Sequence, residues 1–186
     1  TGGIGGVHRE AGETFDVSAD LIELARAPVA LVCSGAKSIV DLRKTIEFLE
    51  SQSVPVIGFG TEELPGFFTR ATGLRLRATA ATVEELAAAV RAYRASGWRG
   101  GLVVANPVPA EAALEPSEVE PLIEEACRRA AAQGVAGSAL TPFLLAALSE
   151  LSGGATLQAN KALLRSNAAL AARLAAALCP RRTRQR

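Results

Sequence analysis

The sequence predicts an α/β protein, a three-layer α/β/α sandwich with a mostly parallel central sheet. Three observations carry that prediction. Short β-branched apolar runs at residues 28–34, 54–59 and 101–105 have the length and composition of strands buried on both faces. Amphipathic stretches lie between them, and strand–helix alternation implies parallel pairing through right-handed crossovers. Of the 186 residues, 49% are hydrophobic, which suits a single sizeable core.

The elements follow in order. After the first strand, Ile39, Leu42, Ile46 and Leu49 fall on one face of a helix expected over residues 38–50, with charges opposite. Beyond the second strand, Pro65 opens a short helical turn expected at 64–69, and residues 74–78 read as a weaker strand. Thr82 caps a helix to Ser96, with Glu84 and Glu85 near its positive end and Gly97 as its stop. Asn106-Pro107-Val108-Pro109 leaves the third strand as a rigid loop. Pro116 and Ser117 start a helix that reaches Gln133 before Gly134, and Thr141-Pro142 starts another through Leu151. Gly153-Gly154 breaks that helix, and an Ala-rich helix over 155–178 closes the fold. No internal repeat or linker interrupts this order, so residues 1–178 read as one domain followed by an Arg-rich tail, 179–186, expected to be disordered.

Charge and cysteine usage narrow the function classes. The formal net charge is +1, which argues against a general nucleic-acid partner. Arg181, Arg182, Arg184 and Arg186 are four of the 20 basic residues, leaving 16 against 19 acidic residues elsewhere. Cys33, Cys127 and Cys179 are odd in number and lack CxxC spacing, which fits a reducing, cytoplasmic compartment better than a disulfide scaffold or zinc site. No apolar run suggests a membrane span or signal peptide. Methionine is absent and the chain opens on a glycine turn, so a fragment lacking an N-terminal portion is expected.

Polar chemistry concentrates in the first forty residues. Gly2, Gly3, Gly5 and Gly6 permit positive φ and close approach to a ligand. The turn does not meet the dinucleotide fingerprint. Lys37 stands beyond a strand end, where side chains of α/β enzymes face a cleft. At the N-terminus of the expected helix, burial and the helix dipole would both disfavour its charged form. An uncharged amine there suits Schiff-base formation with a sugar aldehyde; an exposed lysine or a phosphate binder explains the position equally. Asp16 and Asp20, four apart, fit a shared helical face or the oxygen ligation of Mg²⁺ or Mn²⁺, while Asp16 and Ser18 fit helix caps. His8 is the one histidine and follows the glycine turn. Asn160 is either a solvated helix position or an amide offered to a ligand.

Together the strings TGGIGGVHR, TFDVSADL, VCSGAKSIVDL, VPVIGF, LPGFF, GGLVVANPVP, TPFLL and QANKALLRSNA resemble, in order, pseudouridine-5′-phosphate glycosidases of the indigoidine synthase A-like group. The resemblance implies reversible C–C glycosidic cleavage of pseudouridine 5′-phosphate to uracil and ribose 5-phosphate, in pseudouridine and nucleotide catabolism. It implies Lys37 as the nucleophile that forms an imine with C1 of the ring-opened ribose. It places a divalent ion, usually Mn²⁺, at Asp16, and substrate contacts at Thr1, His8, Ser18, Ala19, Asp20 and Asn160. It further implies a homotrimer acting on small molecules, with neither nucleic acid nor membrane as partner. The family's proton-donating glutamate and second substrate-binding lysine precede the glycine turn, so Glu10 and Glu13 are not assigned those roles. Ser138-Ala139-Leu140 departs from relatives that carry a lysine and a glutamate there. An inactive or regulatory form of the same fold, another Schiff-base sugar-phosphate lyase and a phosphosugar-binding module are the rival readings.

Overall fold

The computed structural model describes residues 2–179, so Thr1 and residues 180–186 of the tail lie outside the described residues. The glycine segment leads into β1 (Val7–His8), the four-residue α1 (Ala11–Thr14) and α2 (Ala19–Arg26). β2 (Ala30–Cys33), β3 (Val40–Asp41) and α3 (Leu42–Ser51) follow, then β4 (Val56–Phe59), β5 (Ala78–Ala80) and α4 (Val83–Ala95). The chain finishes through β6 (Leu102–Ala105), α5 (Pro116–Ala132), α6 (Leu140–Leu151) and α7 (Ala155–Leu178).

The central sheet has order β2-β6-β4-β5, with every neighbouring pair parallel. Period-two alternation sends its side chains to opposite faces. On β6, Leu102 and Val104 pack with Leu86 and Val90 of α4, whereas Val103 joins Leu21 of α2, Ile123 of α5 and Leu148 of α6. Helices therefore cover both faces, and the three-layer expectation holds. α7 contributes Ala159 and Leu163 to one layer and Leu170 and Leu174 to the other, so it runs past the edge strand β2, with which it is in contact. Among the described residues, no single helix is long and apolar enough to cross a membrane.

Local sequence chemistry explains most boundaries. Ser18 caps α2 by accepting from Asp20 N–H (3.3 Å). Thr82 caps α4 through Glu85 N–H (3.2 Å), and Glu85 reaches back to Ala81 N–H (2.8 Å). Three expectations fail where tertiary contacts override local preference. The helix expected at residue 38 begins at Leu42: Val40 N–H donates to Lys37 C=O (3.1 Å), closing a turn, and β3 then pairs antiparallel with β1. Asp41 caps α3 through Lys44 N–H (3.0 Å), so the helix dipole acts a full turn downstream of Lys37. The helical turn at 64–69 is absent, because Phe67 takes φ 67° and donates its N–H to Ser34 C=O (3.1 Å). Its ring packs edge-on against Phe68 at 4.7 Å, with both side chains buried. The strand at 74–78 shifts to β5, leaving a bridge from Arg75 to Glu63.

Leu148 of α6 is fully buried in the core layer that also holds Val103 and Ile123. Leu148→Ala is expected to cost about 3 kcal/mol and to lower Tm by roughly 6–12 °C in thermal unfolding.

Candidate active site

The glycine segment is a structural strut, laid between the end of β2 and the start of α2. Ser34 N–H donates to Gly2 C=O (2.7 Å), Ile4 N–H to Gly35 C=O (3.1 Å), and Lys37 N–H to Ile4 C=O (2.9 Å). Residues 34–37 thus prolong β2, and residues 2–4 pair with them in parallel register at Ile4 and Ala36. On the far side, Gly5 N–H donates to the Asp20 carboxylate (2.8 Å), and Ser18 N–H to Gly6 C=O (3.0 Å). Lys37 and Asp20 therefore grip the two ends of one peptide unit, Ile4–Gly5, from opposite sides.

The glycines serve this packing. None of Gly3, Gly5 and Gly6 has positive φ, contrary to expectation. A Cβ on Gly5 would collide with the Ser18 hydroxyl, so only a bare backbone fits against α2. Gly35 does need its conformation: φ is 79°, and a Cβ there would strike the Pro65 carbonyl.

The expected site residues fall into two groups. Lys37, Ser18, Ala19 and Asp20 surround the Ile4–Gly5 peptide. Lys37 is half-buried, Ser18 is the α2 cap and Ala19 is its first helical residue. His8 and Asp16 form the second group. His8 N–H donates to Asp16 C=O (3.0 Å), and Nε2 stands 3.9 Å from Asp16 Oδ2, too far for a hydrogen bond. Both line a cavity of about 470 Å³ with Arg9, Glu10 and Thr14 above an apolar floor that includes Ile39 and Leu144; Lys37 does not line it. Asp16 precedes the Ser18 cap, so Asp16 and Asp20 do not share a helical face. Asn160, on α7, places Oδ1 3.6 Å from where a Cβ on Gly2 would stand. Thr1 lies outside the described residues.

Among the described residues, no three His, Cys, Asp or Glu side chains gather as a metal cage. A half-exposed carboxylate at Asp16 with His8 nearby fits a hard cation that keeps most of its waters, not one enclosed by protein.

A buried amide cluster escaped the sequence reading. Asn167 Nδ2 donates to Gly2 C=O (3.2 Å) and to Ser34 Oγ (3.1 Å), while Asn106 Nδ2 donates to Asn167 Oδ1 (2.8 Å) and Ser166 Oγ (3.0 Å). The available signal was two apolar strands that each end on a polar residue, Ser34 and Asn106, together with an asparagine on the buried face of an apolar helix.

Residues 1–177 match the family model described as indigoidine synthase A like protein. The chain belongs to the indigoidine synthase A-like family. It is 49% identical over 180 residues to pseudouridine-5′-phosphate glycosidase 2 of Rhizobium johnstonii, covering 97% of the chain and 58% of that relative. It is 52% identical over 178 residues to pseudouridine-5′-phosphate glycosidase of Methylobacterium nodulans, covering 96% and 53%. The chain thus spans about half the length of the curated relatives it matches. Two solved family-like structures superpose well. The prealnumycin C-glycosynthase AlnA in complex with ribulose 5-phosphate gives a TM-score of 0.88 at 35% identity, covering 96% of this chain and 59% of that one. The indigoidine synthase A-like protein of Thermotoga maritima gives 0.84 at 41% identity, covering 94% and 57%.

In this family member, burial pushes the Cys33 thiol up to about 11 from its ordinary 9.0. The folded thiol keeps its proton to higher pH than the unfolded one, so its contribution to stability is intact below about pH 9 and declines as pH rises toward 11. At pH 8 a thiol reagent should label exposed Cys179 first and Cys33 only after denaturation. Gly5→Ala should lower Tm by more than about 5 °C, and Gly5→Ala/Ser18→Gly should recover part of that loss, because Ser18→Gly removes the colliding hydroxyl. Equal Tm values for the single and double variants would contradict that packing.

Proposed function

We propose that this chain carries the imine-forming portion of a pseudouridine-5′-phosphate glycosidase, with Lys37 as the nucleophile. The observation that carries the reading is the doubly held Ile4–Gly5 peptide, which fixes Lys37 just beyond a parallel strand in a chain about half identical to proteins so named. The sequence contains three lysines. Lys44 Nζ is paired with Asp41 at 3.1 Å, and Lys161 stands exposed on α7. Lys37 is the half-buried one at a strand end, where open parallel sheets hold their ligands.

The chemistry follows from what a C–C glycoside lacks, a leaving heteroatom. The Lys37 amine forms a C–N bond to C1 as the C1–O4′ bond breaks, so the ribose opens with O4′ becoming a hydroxyl and the amine giving up one proton. Uracil departs with the electron pair of the C–C bond and takes up a proton at carbon. The nitrogen lone pair accommodates the electron demand at C1 as an imine, which water hydrolyses to ribose 5-phosphate and the free amine. Asp20 and Ser18 sit across the glycine strut from Lys37 and are assigned to sugar hydroxyls, with Ala19 between them. Asn160 and Thr1 are assigned to the same substrate, and His8 to the base or phosphate. Asp16 would hold the divalent ion, Mn²⁺ by preference, which would supply positive charge to balance a bound phosphate. A homotrimer is consistent with Phe15, Leu157 and Leu164 being exposed, and a cytoplasmic setting with three unpaired thiols.

A second reading is favoured by the superposition on a C-glycosynthase bound to ribulose 5-phosphate: the same lysine chemistry run on a different sugar phosphate or aglycone. Uracil release from pseudouridine 5′-phosphate with Mn²⁺ separates the two. The proposal expects release by the native chain, a fall of more than about 1,000-fold in Lys37→Ala, and no rescue by Lys37→Arg, whose guanidinium stays protonated. Release that survives Lys37→Ala would overturn it.

A further inference from the structure

We propose that Asn167 is a positioning residue, which sets the place of Lys37 by clasping the glycine strut to the prolonged end of β2. This inference rests on the assignment of Lys37 made above. Asn167 is fully buried on α7. Its Nδ2 bonds both strands of the small parallel ladder at once, Gly2 C=O on the strut and Ser34 Oγ on the β2 extension. Ser34 N–H meets the same Gly2 carbonyl, so that oxygen takes two donors. Lys37 stands at the other end of the ladder, bonded to Ile4 C=O. The Oδ1 of Asn167 is held in turn by Asn106 at the end of β6, which fixes the orientation of the amide.

A clasp at one end of this short ladder bears on its other end because residues 2–4 and 34–37 are joined through three backbone hydrogen bonds, Ser34 to Gly2, Ile4 to Gly35 and Lys37 to Ile4. Asn160 reinforces the arrangement. It lies seven residues before Asn167, about two turns along α7 and on the same face, and it also abuts Gly2. One face of α7 thus holds the strut against the sheet through Asn160 and Asn167. Were the clasp removed, the strut and the β2 extension would separate first at Gly2, and the Lys37 backbone would lose its fixed register. Small displacements of a reacting group have large kinetic effects.

The test compares the native 186-residue chain with Asn167→Ala and with Leu86→Ala, a comparably disruptive core change on the opposite face of the sheet. Two readouts are taken: amide hydrogen exchange at Ile4 and Lys37, and the concentration dependence of borohydride-trapped adduct formation with ribose 5-phosphate. Asn167→Ala should speed exchange at both amides by about 10-fold over Leu86→Ala. It should also lower the maximal trapping rate by roughly 30-fold while changing the half-saturating concentration less than about threefold. Ser34→Ala, which removes one arm of the clasp, should show the same pattern more weakly and serves if Asn167→Ala does not fold. Exchange equal to that of Leu86→Ala overturns the clasp. Faster exchange with an unchanged trapping rate overturns the positioning role. A native chain that forms no adduct refutes the assignment of Lys37, and the exchange measurement still decides whether the clasp exists.

Discussion

A single peptide unit organises this molecule. The carbonyl of Ile4 accepts from Lys37 and the N–H of Gly5 donates to Asp20, so the glycine strut is bonded along both sides. Each partner belongs to a different element: Lys37 to the run beyond β2, Asp20 to the first turn of α2. An extended segment with four glycines around one buried isoleucine can be buried only if its backbone groups find partners. Here those partners are the residues assigned to the chemistry. Structural satisfaction and the placement of functional groups are therefore met by the same hydrogen bonds.

The sheet explains why that unit sits where it does. Parallel strands β2 and β6 are each followed directly by a polar residue, Ser34 and Asn106, at their carboxyl ends, the side on which open α/β sheets bind ligands. β2 is an edge strand of the four-stranded sheet, and an open edge would be a hazard. The glycine strut covers the continuation of that edge, and α7 runs beside it, contributing to both core layers. The buried asparagine is the polar cost of this junction, and it is met because the amide finds a partner for its oxygen and two for its nitrogen.

Much of the fold was legible from the chain. The three buried strands, the Thr82 cap, the Gly97 stop and the limits of α7 follow from composition and periodicity, because those elements are long or carry strong punctuation. The failures cluster around the site. Ile39 matches a helical face by spacing, yet it is buried in a turn that β1–β3 pairing imposes. Pro65 is a sound helix start, yet Phe67 gains more by entering the core in a left-handed conformation. The glycines read as ligand-facing, whereas they meet Ser18, Phe67 and Thr45. In each case a long-range contact outweighs a local preference, which no window of sequence contains. Lys37, Asp16 and Asn160 are singled out by ordered motifs; Asn167 lies within one of those motifs but makes its contacts with partners 61 and 133 residues away in sequence.

The central claim is that one amine condenses with an opened pentose phosphate. It is tested most directly by peptide mapping of the chain after reduction with borohydride in the presence of ribose 5-phosphate. The account predicts the added sugar on Lys37, seen as a blocked tryptic site between Arg26 and Arg43. A sugar found instead on Lys44 or Lys161, with Lys37 unmodified, would contradict it.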